Sequence, residues 1–192
     1  MSQFFTIKKG AALLLFVQMI AFAGIAQVKY KAKDNLKVSV SGTSTLHDWT
    51  METTKGECNA VFTQSAGQLT DLTSMSVVIP VESLKSEKAA MDKNAYKALK
   101  AKENPTFSYT LTSATITDGK VKCLGKLTLA GTTVNTEIGG TAKVNADKSI
   151  TVTGSKKISM TAYKITPPTF MMGTIKTGND ITVSYTVTLR TN

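Results

Sequence analysis

The sequence has 192 residues, of which 42% are hydrophobic and 19% charged, and its formal net charge is +10. This length suits one ordinary domain, and the hydrophobic fraction excludes wholesale disorder. Two cysteines are too few for a disulfide-built miniprotein, and a single histidine, His47, excludes a histidine-rich metal centre. Thirty threonines indicate β-structure, because β-branched side chains fit the pleat of a strand.

Residues 1–26 have the three-part pattern of a secretory signal peptide. Lys8 and Lys9 precede a short apolar run over 11–23, and small residues follow it up to Ala26. The run is shorter than the roughly 20 residues needed to span a bilayer, which disfavours a membrane anchor. We therefore predict cleavage after Ala26, so that 27–192 form the mature domain of an exported protein.

The positive charge has several interpretations, which include nucleic-acid binding, contact with an anionic membrane surface, and simple solubility. The lysines are scattered singly, and Arg190 is the only arginine. Because recognition of phosphates and bases relies on arginine, we do not expect nucleic acid as a partner. Transient contact with a membrane surface stays open, although a solvated basic surface is the simpler interpretation.

From Gln27 onward the sequence predicts strands almost throughout. Alternating apolar and polar residues indicate strands with one buried face. In chain order, these runs are 36–40, 75–81, 106–116, 120–129, 150–152, 158–160 and 181–189. Turn signals separate them at 65–67, 118–119, 145–147 and 178–180, and Asp118-Gly119 is the sharpest hairpin signal.

One segment, Lys88 to Lys102, is helical in character. Met91, Ala95, Ala98 and Leu99 form one apolar stripe in it, and Pro105 follows its end. A single amphipathic helix among about eight antiparallel strands predicts a barrel or half-barrel with the helix covering one side. No internal repeat or linker divides the domain.

The interior of such a barrel is either filled by side chains or able to hold one small ligand. The inward phase of the predicted strands is apolar and almost free of charge, so a cavity there would hold an apolar guest. A filled core gives the same pattern, and the residues alone favour a filled core.

Candidate chemical groups are few. His47 and Asp48 are adjacent, and neighbours in a strand point to opposite faces, so no catalytic pair is expected; His47 is better explained by hydrogen bonds within a turn. Neither a catalytic residue nor a metal ligand is predicted. Cys58 and Cys123 fall in two predicted strands, and a disulfide and two buried free thiols both remain open.

Aromatic residues and methionines gather near the two ends of the predicted barrel. Trp49 packs at the barrel end or lines its mouth. Tyr163, Phe170, Met171 and Met172 lie in one predicted loop, for which a lid over the cavity, a patch that meets the membrane, and ordinary packing all remain open.

Six segments, taken together in their order and spacing, resemble the YceI-like family of exported bacterial β-barrels that bind polyisoprenoids and other lipids. They are 40–49, 79–84, 91–94, 99–107, 124–131 and 160–171. The segment Pro167-Pro168-Thr169-Phe170-Met171-Met172 departs from the family pattern, so contacts at the cavity mouth cannot be transferred to this chain.

The resemblance implies an all-β, lipocalin-like antiparallel barrel with one inserted helix, which binds a long isoprenoid-type lipid non-covalently in the envelope, periplasmic or extracellular. It implies no cofactor besides that lipid and no enzymatic activity. A structural or envelope-stress interaction protein with a filled core is the alternative, and the oligomeric state stays open, a homodimer included. The candidate cavity residues are Val38, Val40, Trp49, Met75, Val77, Ile79, Phe107, Tyr109, Leu127, Leu129, Met160, Phe170, Met171, Val183 and Tyr185.

Overall fold

A computed structural model describes residues 26–191, so the predicted signal peptide lies outside the described residues except at its last position. The described chain forms eleven strands, one α-helix and three short 3-10 turns. The strands are β1 (Ala26–Lys33), β2 (Leu36–Ser44), β3 (Trp49–Thr53), β4 (Glu57–Ser65), β5 (Gln68–Pro80), β6 (Thr106–Thr117), β7 (Lys120–Leu129), β8 (Thr132–Val144), β9 (Ile150–Ser159), β10 (Thr169–Phe170) and β11 (Ile175–Thr191). The helix is α1 (Ala89–Ala98), and the 3-10 turns are Val81–Ser83, Met160–Tyr163 and Met171–Gly173.

All strand pairs are antiparallel, and eight strands form a closed ring in the order β1-β4-β5-β6-β7-β8-β9-β11. Tyr30 of β1 pairs with Thr191 of β11 and so closes the ring between the two ends of the domain. Hairpin β2–β3 extends the wall beside β11, with Val40 opposite Val183. This architecture confirms the predicted all-β barrel with one inserted helix.

Two-residue turns fix the register of neighbouring strands. Asp118 and Gly119 both have positive φ, 50° and 73°, and join Thr117 directly to Lys120. This geometry matches the twist of the flanking strands and confirms the predicted hairpin. Ala130-Gly131 makes the same type of turn between β7 and β8.

The prediction of a turn at 178–180 is wrong. Strand β11 runs continuously through this segment, and the register against β2 shifts between Thr177 and Ile181, which marks a bulge. Gly178 and Asn179 are turn-type residues, but the long pairing of β11 with β9 and β2 outweighs their local preference. The predicted strands at 150–152 and 158–160 also prove to belong to one strand, β9, which ends at Ser159, so that Met160 begins the following 3-10 turn.

The helix is shorter than predicted, because it ends at Ala98 and not at Lys102. Lys100 adopts a left-handed φ of 51°, and the N–H of Ala101 donates to the carbonyl of Tyr96 over 2.9 Å. Together with the bond from Lys100 N–H to Lys97 O, this is a Schellman ending, which stops the helix before the proline can.

Packing is densest at one end of the barrel, which we call the closed end. Leu36, Phe62, Ile150 and Leu189 are essentially inaccessible there. A second apolar cluster, which includes Ile158, Met160 and Ile165, lies toward α1 and packs against Leu99. The region between the two clusters holds the site.

Candidate functional site

The barrel encloses an apolar cavity of about 470 Å³. Its wall is built from the inward phase of the strands, because alternate residues of a strand point to opposite faces. The volume lies in the range typical of small-molecule sites. The interior is therefore not completely filled by side chains, in contrast to the filled core that the residue pattern alone favoured.

The structure brings fourteen of the fifteen candidate residues together around this cavity. They are Val38, Val40, Trp49, Met75, Val77, Ile79, Phe107, Tyr109, Leu127, Leu129, Met160, Phe170, Val183 and Tyr185. Met171 is the exception, since its side chain is 75% exposed and does not line the cavity. Its backbone has a left-handed φ of 47°, which turns the chain away from the inward phase of Phe170.

Sequence reasoning missed much of the lining. Toward the closed end the cavity also contacts Leu36, Phe62, Leu72, Val121, Val187 and Leu189, and toward the helix it contacts Met91, Ala95, Ala98 and Leu99. The lining residues toward the closed end could have been found from the sequence, because they follow the same apolar–polar alternation as the candidate residues on their strands. The helix residues form the predicted apolar stripe, but an apolar stripe alone does not show which part of the barrel the helix packs against.

Helix α1 is fixed over one side of the cavity by polar contacts at its two ends. The Tyr96 hydroxyl lies 2.6 Å from the carbonyl of Leu84 and receives a hydrogen bond from the Lys85 ammonium over 2.8 Å. Asp92 accepts hydrogen bonds of 2.7 Å from both the N–H and the hydroxyl of Ser86. Burial of Asp92 opposes its ionisation, but these bonds and nearby Lys85 leave its pKa below the usual value.

Trp49 forms part of the cavity wall beside the loop that joins β2 to β3. Its indole N–H donates to the carbonyl of Thr43 over 3.0 Å, and its ring lies directly on Gly42. A Cβ at Gly42 would come within 2.4 Å of the ring, so the indole position requires glycine there. The structure therefore places Trp49 on the lining, with its polar atom satisfied by the backbone.

The four residues of the 163–172 segment have three different environments. Tyr163 is buried, and its hydroxyl lies 2.6 Å from that of Thr136, which is ordinary packing. Phe170 is half-buried at the cavity edge. Met171 and Met172 are fully exposed, and Leu46 of the neighbouring loop is also 65% exposed. We call Leu46, Met171 and Met172 the apolar tip.

His47 and Asp48 do not form a catalytic pair. They lie in the loop between β2 and β3, which agrees with the turn expected at His47, although the expected alternation of faces assumed a strand. The His47 ring contacts the backbone carbonyl of Asp48 at 2.7 Å. The His47 N–H donates to the Ser44 hydroxyl, which in turn donates to the His47 carbonyl over 2.7 Å. His47 thus forms part of a hydrogen-bonded turn at the cavity edge.

Cys58 and Cys123 are both buried free thiols on the cavity wall. Two strands separate β4 from β7 in the ring, and a strand spacing of about 4.8 Å puts the pair beyond the roughly 7 Å that a disulfide allows. Burial raises the pKa of Cys58 to about 12 and that of Cys123 to about 11. Both are therefore protonated at neutral pH and are poor nucleophiles.

The tyrosine hydroxyls of the wall are already hydrogen-bonded to the backbone. Tyr109 lies 3.2 Å from the carbonyl of Cys123, and Tyr185 donates to the carbonyl of Gly139 over 2.8 Å. Burial raises the pKa of Tyr185 to about 12 and that of Tyr109 still further. These groups are neutral, so they stabilise the wall and carry no charge into the cavity.

Residues 26–191 contain no group of three His, Cys, Asp or Glu side chains arranged to hold a metal ion. Nor does this part of the chain contain a helix long and apolar enough to cross a membrane. The described site is thus an apolar chamber whose polar groups are mostly hydrogen-bonded within the wall.

Fold and cavity together define a class, the closed antiparallel barrels with an internal apolar chamber. The YceI-like domain family matches residues 26–189, and the chain belongs to this family. This confirms the resemblance that the six sequence segments indicated. A comparison with curated protein sequences gives no significant match.

Solved structures share the fold at low sequence identity. Burkholderia cenocepacia BcnA is 16% identical with a TM-score of 0.68, over 80% of this chain and 95% of that one. A polyisoprenoid binding domain from Saccharophagus degradans, implicated in plant cell wall breakdown, is 11% identical with a TM-score of 0.60, over 87% and 100%. The Campylobacter jejuni YceI protein is 20% identical with a TM-score of 0.56, over 70% and 82%.

Proposed function

We propose that this protein binds one long apolar lipid, of isoprenoid type, non-covalently inside the barrel, and performs no chemistry on it. The observation that carries the proposal is the cavity of about 470 Å³, whose lining is apolar and contains no Asp or Glu. Transfer of apolar surface from water into such a chamber is favourable by about 25 cal/mol per Å². Family membership and the polyisoprenoid binding domain among its structural neighbours support this type of ligand.

The chemistry of the wall is consistent with binding and not with catalysis. The two thiols are held protonated by burial, and the one imidazole contacts a backbone carbonyl in place of a carboxylate. A nucleophile needs a neighbouring base or a lowered pKa to react. Binding therefore needs no cofactor and no catalytic residue.

The substitution Val77→Phe tests whether the cavity is a ligand site. Val77 lines the cavity between Cys58 and Tyr109, whereas Val78, the next residue, faces outward and is 42% exposed. We expect Val77→Phe to fill empty volume, so that the lipid-free protein keeps or gains stability while lipid stoichiometry falls. Val78→Phe is the matched control and should leave the stoichiometry unchanged.

The measurements are native mass spectrometry of the purified protein and its melting temperature before and after organic extraction. A bound lipid stabilises the native state by mass action, so extraction should lower the melting temperature. Over-packing of a filled core would instead cost roughly 1–3 kcal/mol. No extractable lipid, no shift on extraction and a large stability loss in Val77→Phe would together refute lipid binding.

We further propose that the lipid exchanges with a membrane at the apolar tip, within the cell envelope. The two loops of the tip are joined by hydrogen bonds, from Thr45 N–H to Lys176 O at 3.0 Å and from Lys176 N–H to Thr45 Oγ1 at 3.1 Å. Leu46 also lines the cavity, so the tip is continuous with the chamber. Exposed apolar side chains together with the exposed Lys176, whose backbone is bonded to Thr45, suit an anionic lipid surface.

Co-sedimentation with phosphatidylglycerol–phosphatidylcholine vesicles tests this contact. The double variant Met171→Ser/Met172→Ser should lose vesicle binding, whereas Leu124→Ser, at an exposed apolar position on the outer wall of β7, should bind like the unmutated protein. Equal binding by all three proteins would show that the tip does not meet the membrane.

A further inference from the structure

The cavity wall contains a lysine in a position where the strand pattern calls for an apolar residue. Along β9 the inward phase is Ile150, Val152, Gly154, Lys156 and Ile158. Lys156 is half-buried and lines the cavity, while Ser155 and Lys157 on either side of it are exposed on the outer face. Its neighbour on β11 is Val183, which is opposite Val40 of β2, so the wall on that side of Lys156 is apolar.

Within residues 26–191, no carboxylate lies within ion-pair distance of the Lys156 ammonium. The cavity lining contains no Asp or Glu, and its other lysine, Lys88, lies at the edge of the chamber beside exposed segments. An ammonium among apolar side chains is costly unless water or an anion meets it. The chamber thus contains lysine ammonium groups and no carboxylate, so an anionic group on the guest would balance its charge.

Other donors in the wall do not compete for that anion. The hydroxyl of Tyr185 is bonded to Gly139 O and that of Tyr109 lies against Cys123 O. Gly154, the preceding inward position of β9, makes room for Tyr185, since a Cβ there would come within 2.6 Å of the Tyr185 hydroxyl. The ladder between β8 and β9 also stops at Gly140 and Gly154, so the wall on that side is not hydrogen-bonded to β9 at Lys156.

From this arrangement we infer that the guest is an amphiphile with one anionic head group, a phosphate or a carboxylate, which Lys156 binds inside the barrel while the apolar chain occupies the remaining chamber. This inference rests on the proposed lipid binding and narrows its ligand class. A charge-assisted hydrogen bond in a site of low polarity is stronger than one in water.

The test compares ligands that share a chain and differ in the head group. Geranylgeranyl monophosphate and geranylgeraniol are titrated into the delipidated protein, and hexadecanoate against hexadecanol separates a carboxylate from a phosphate. Trp49 is the single tryptophan and lines the cavity, so its fluorescence reports occupancy. We expect the unmutated protein to bind an anionic lipid at least about tenfold more tightly than the matched alcohol.

Two variants test whether Lys156 is the source of the preference for an anionic lipid over the matched alcohol. Lys156→Met keeps the length of the side chain and should reduce the preference to about onefold while the alcohol still binds. Lys157→Gln, on the outer face of the same strand, should keep the preference. The affinity for the anionic lipid should also fall with added salt in the unmutated protein and not in Lys156→Met.

The failure of this inference differs from the failure of lipid binding. Equal binding of the anionic lipids and the alcohols by the unmutated protein, or a preference that survives Lys156→Met, overturns the head-group assignment and leaves the lipid site in place. Absence of binding by all four lipids overturns both.

Discussion

At the scale of single residues, this barrel is defined by which side chains face inward and how their polar atoms are satisfied. Trp49, Tyr109 and Tyr185 all contribute apolar surface to the cavity while their polar atoms contact backbone carbonyls. Buried polar groups without partners would cost about 1–3 kcal/mol each. Satisfying them within the wall leaves the chamber apolar.

Asp147 gives the clearest dependence of stability on pH. Hydrogen bonds from Ser149, and then the Arg190 guanidinium at 2.6 Å, lower its pKa from 3.8 to about 2. A group whose pKa is depressed on folding stabilises the native state above its unfolded pKa, and that stabilisation is lost as the pH falls through the folded value. The turn between β8 and β9 should therefore lose a stabilising contact in acid.

The measurement is the difference in unfolding free energy between the unmutated protein and Asp147→Asn. We expect this difference to be constant above about pH 5 and to shrink between pH 4 and 2. In an Arg190→Gln background the change should be smaller, because one of the two partners is absent. Parallel pH curves for the two proteins would contradict the assignment.

At the scale of elements, α1 is a cover whose apolar stripe becomes part of the cavity. The sequence predicted the helix and its apolar stripe correctly, but it placed the C-terminal end of the helix at Lys102, four residues beyond the observed end at Ala98. A left-handed Lys100 and the bonds to Tyr96 and Lys97 terminate it. Proline at 105 is a terminator that can be recognised in a sequence, whereas a Schellman ending with lysine in place of glycine gives no such signal.

Ala95→Pro tests the helix. Proline in the middle of a helix removes a backbone hydrogen bond and clashes with the preceding turn, at a cost of about 3 kcal/mol. Since Ala95 also lines the cavity, we expect both lower stability and faster exchange of bound lipid. Chemical denaturation and lipid-transfer kinetics measure the two effects. Lys97→Ala, at an exposed position of the last turn, is the control, and a fully stable Ala95→Pro protein would contradict the helix.

At the scale of the whole molecule, ring closure brings together the two ends of the described chain. The pairing of β1 with β11 involves only Tyr30 with Thr191 and Lys31 with Arg190. Strand β1 begins at Ala26, the last residue of the predicted signal peptide, so the expected cleavage would remove only this residue and its pairing with Gln64.

The export prediction concerns residues outside the described part of the chain and is tested by the intact mass of the protein made in its native host. We expect a mature form that begins at Gln27, because the pattern of basic start, apolar run and small residues ends at Ala26. Its formal charge should be +8, since Lys8 and Lys9 are removed. Retention of residues 1–26 in the exported protein would contradict the prediction.

Sequence patterns alone were enough to locate six of the eleven strands in the described chain, the Asp118-Gly119 hairpin and the helix, and to nominate fourteen residues that the structure places on the cavity wall. These features follow from local chemistry, since side-chain alternation and turn preferences act over a few residues. For example, the alternating pattern of β5 indicated that Val77 and Ile79 point into the barrel and that Val78 points to solvent.

Three features became clear only in the folded chain: the barrel is left partly empty, two strands separate Cys58 from Cys123, and Lys156 faces inward. Each of these depends on pairing between distant segments. The bulge at 178–180 is an example, because β9 and β2 pair with the residues of β11 that follow it, so the chain continues as a bulged strand where its local sequence favours a turn. The cavity likewise depends on the closed ring. The alternating pattern fits both a filled core and a cavity, and the diameter of the barrel, which its eight strands set, decides how much space the side chains leave.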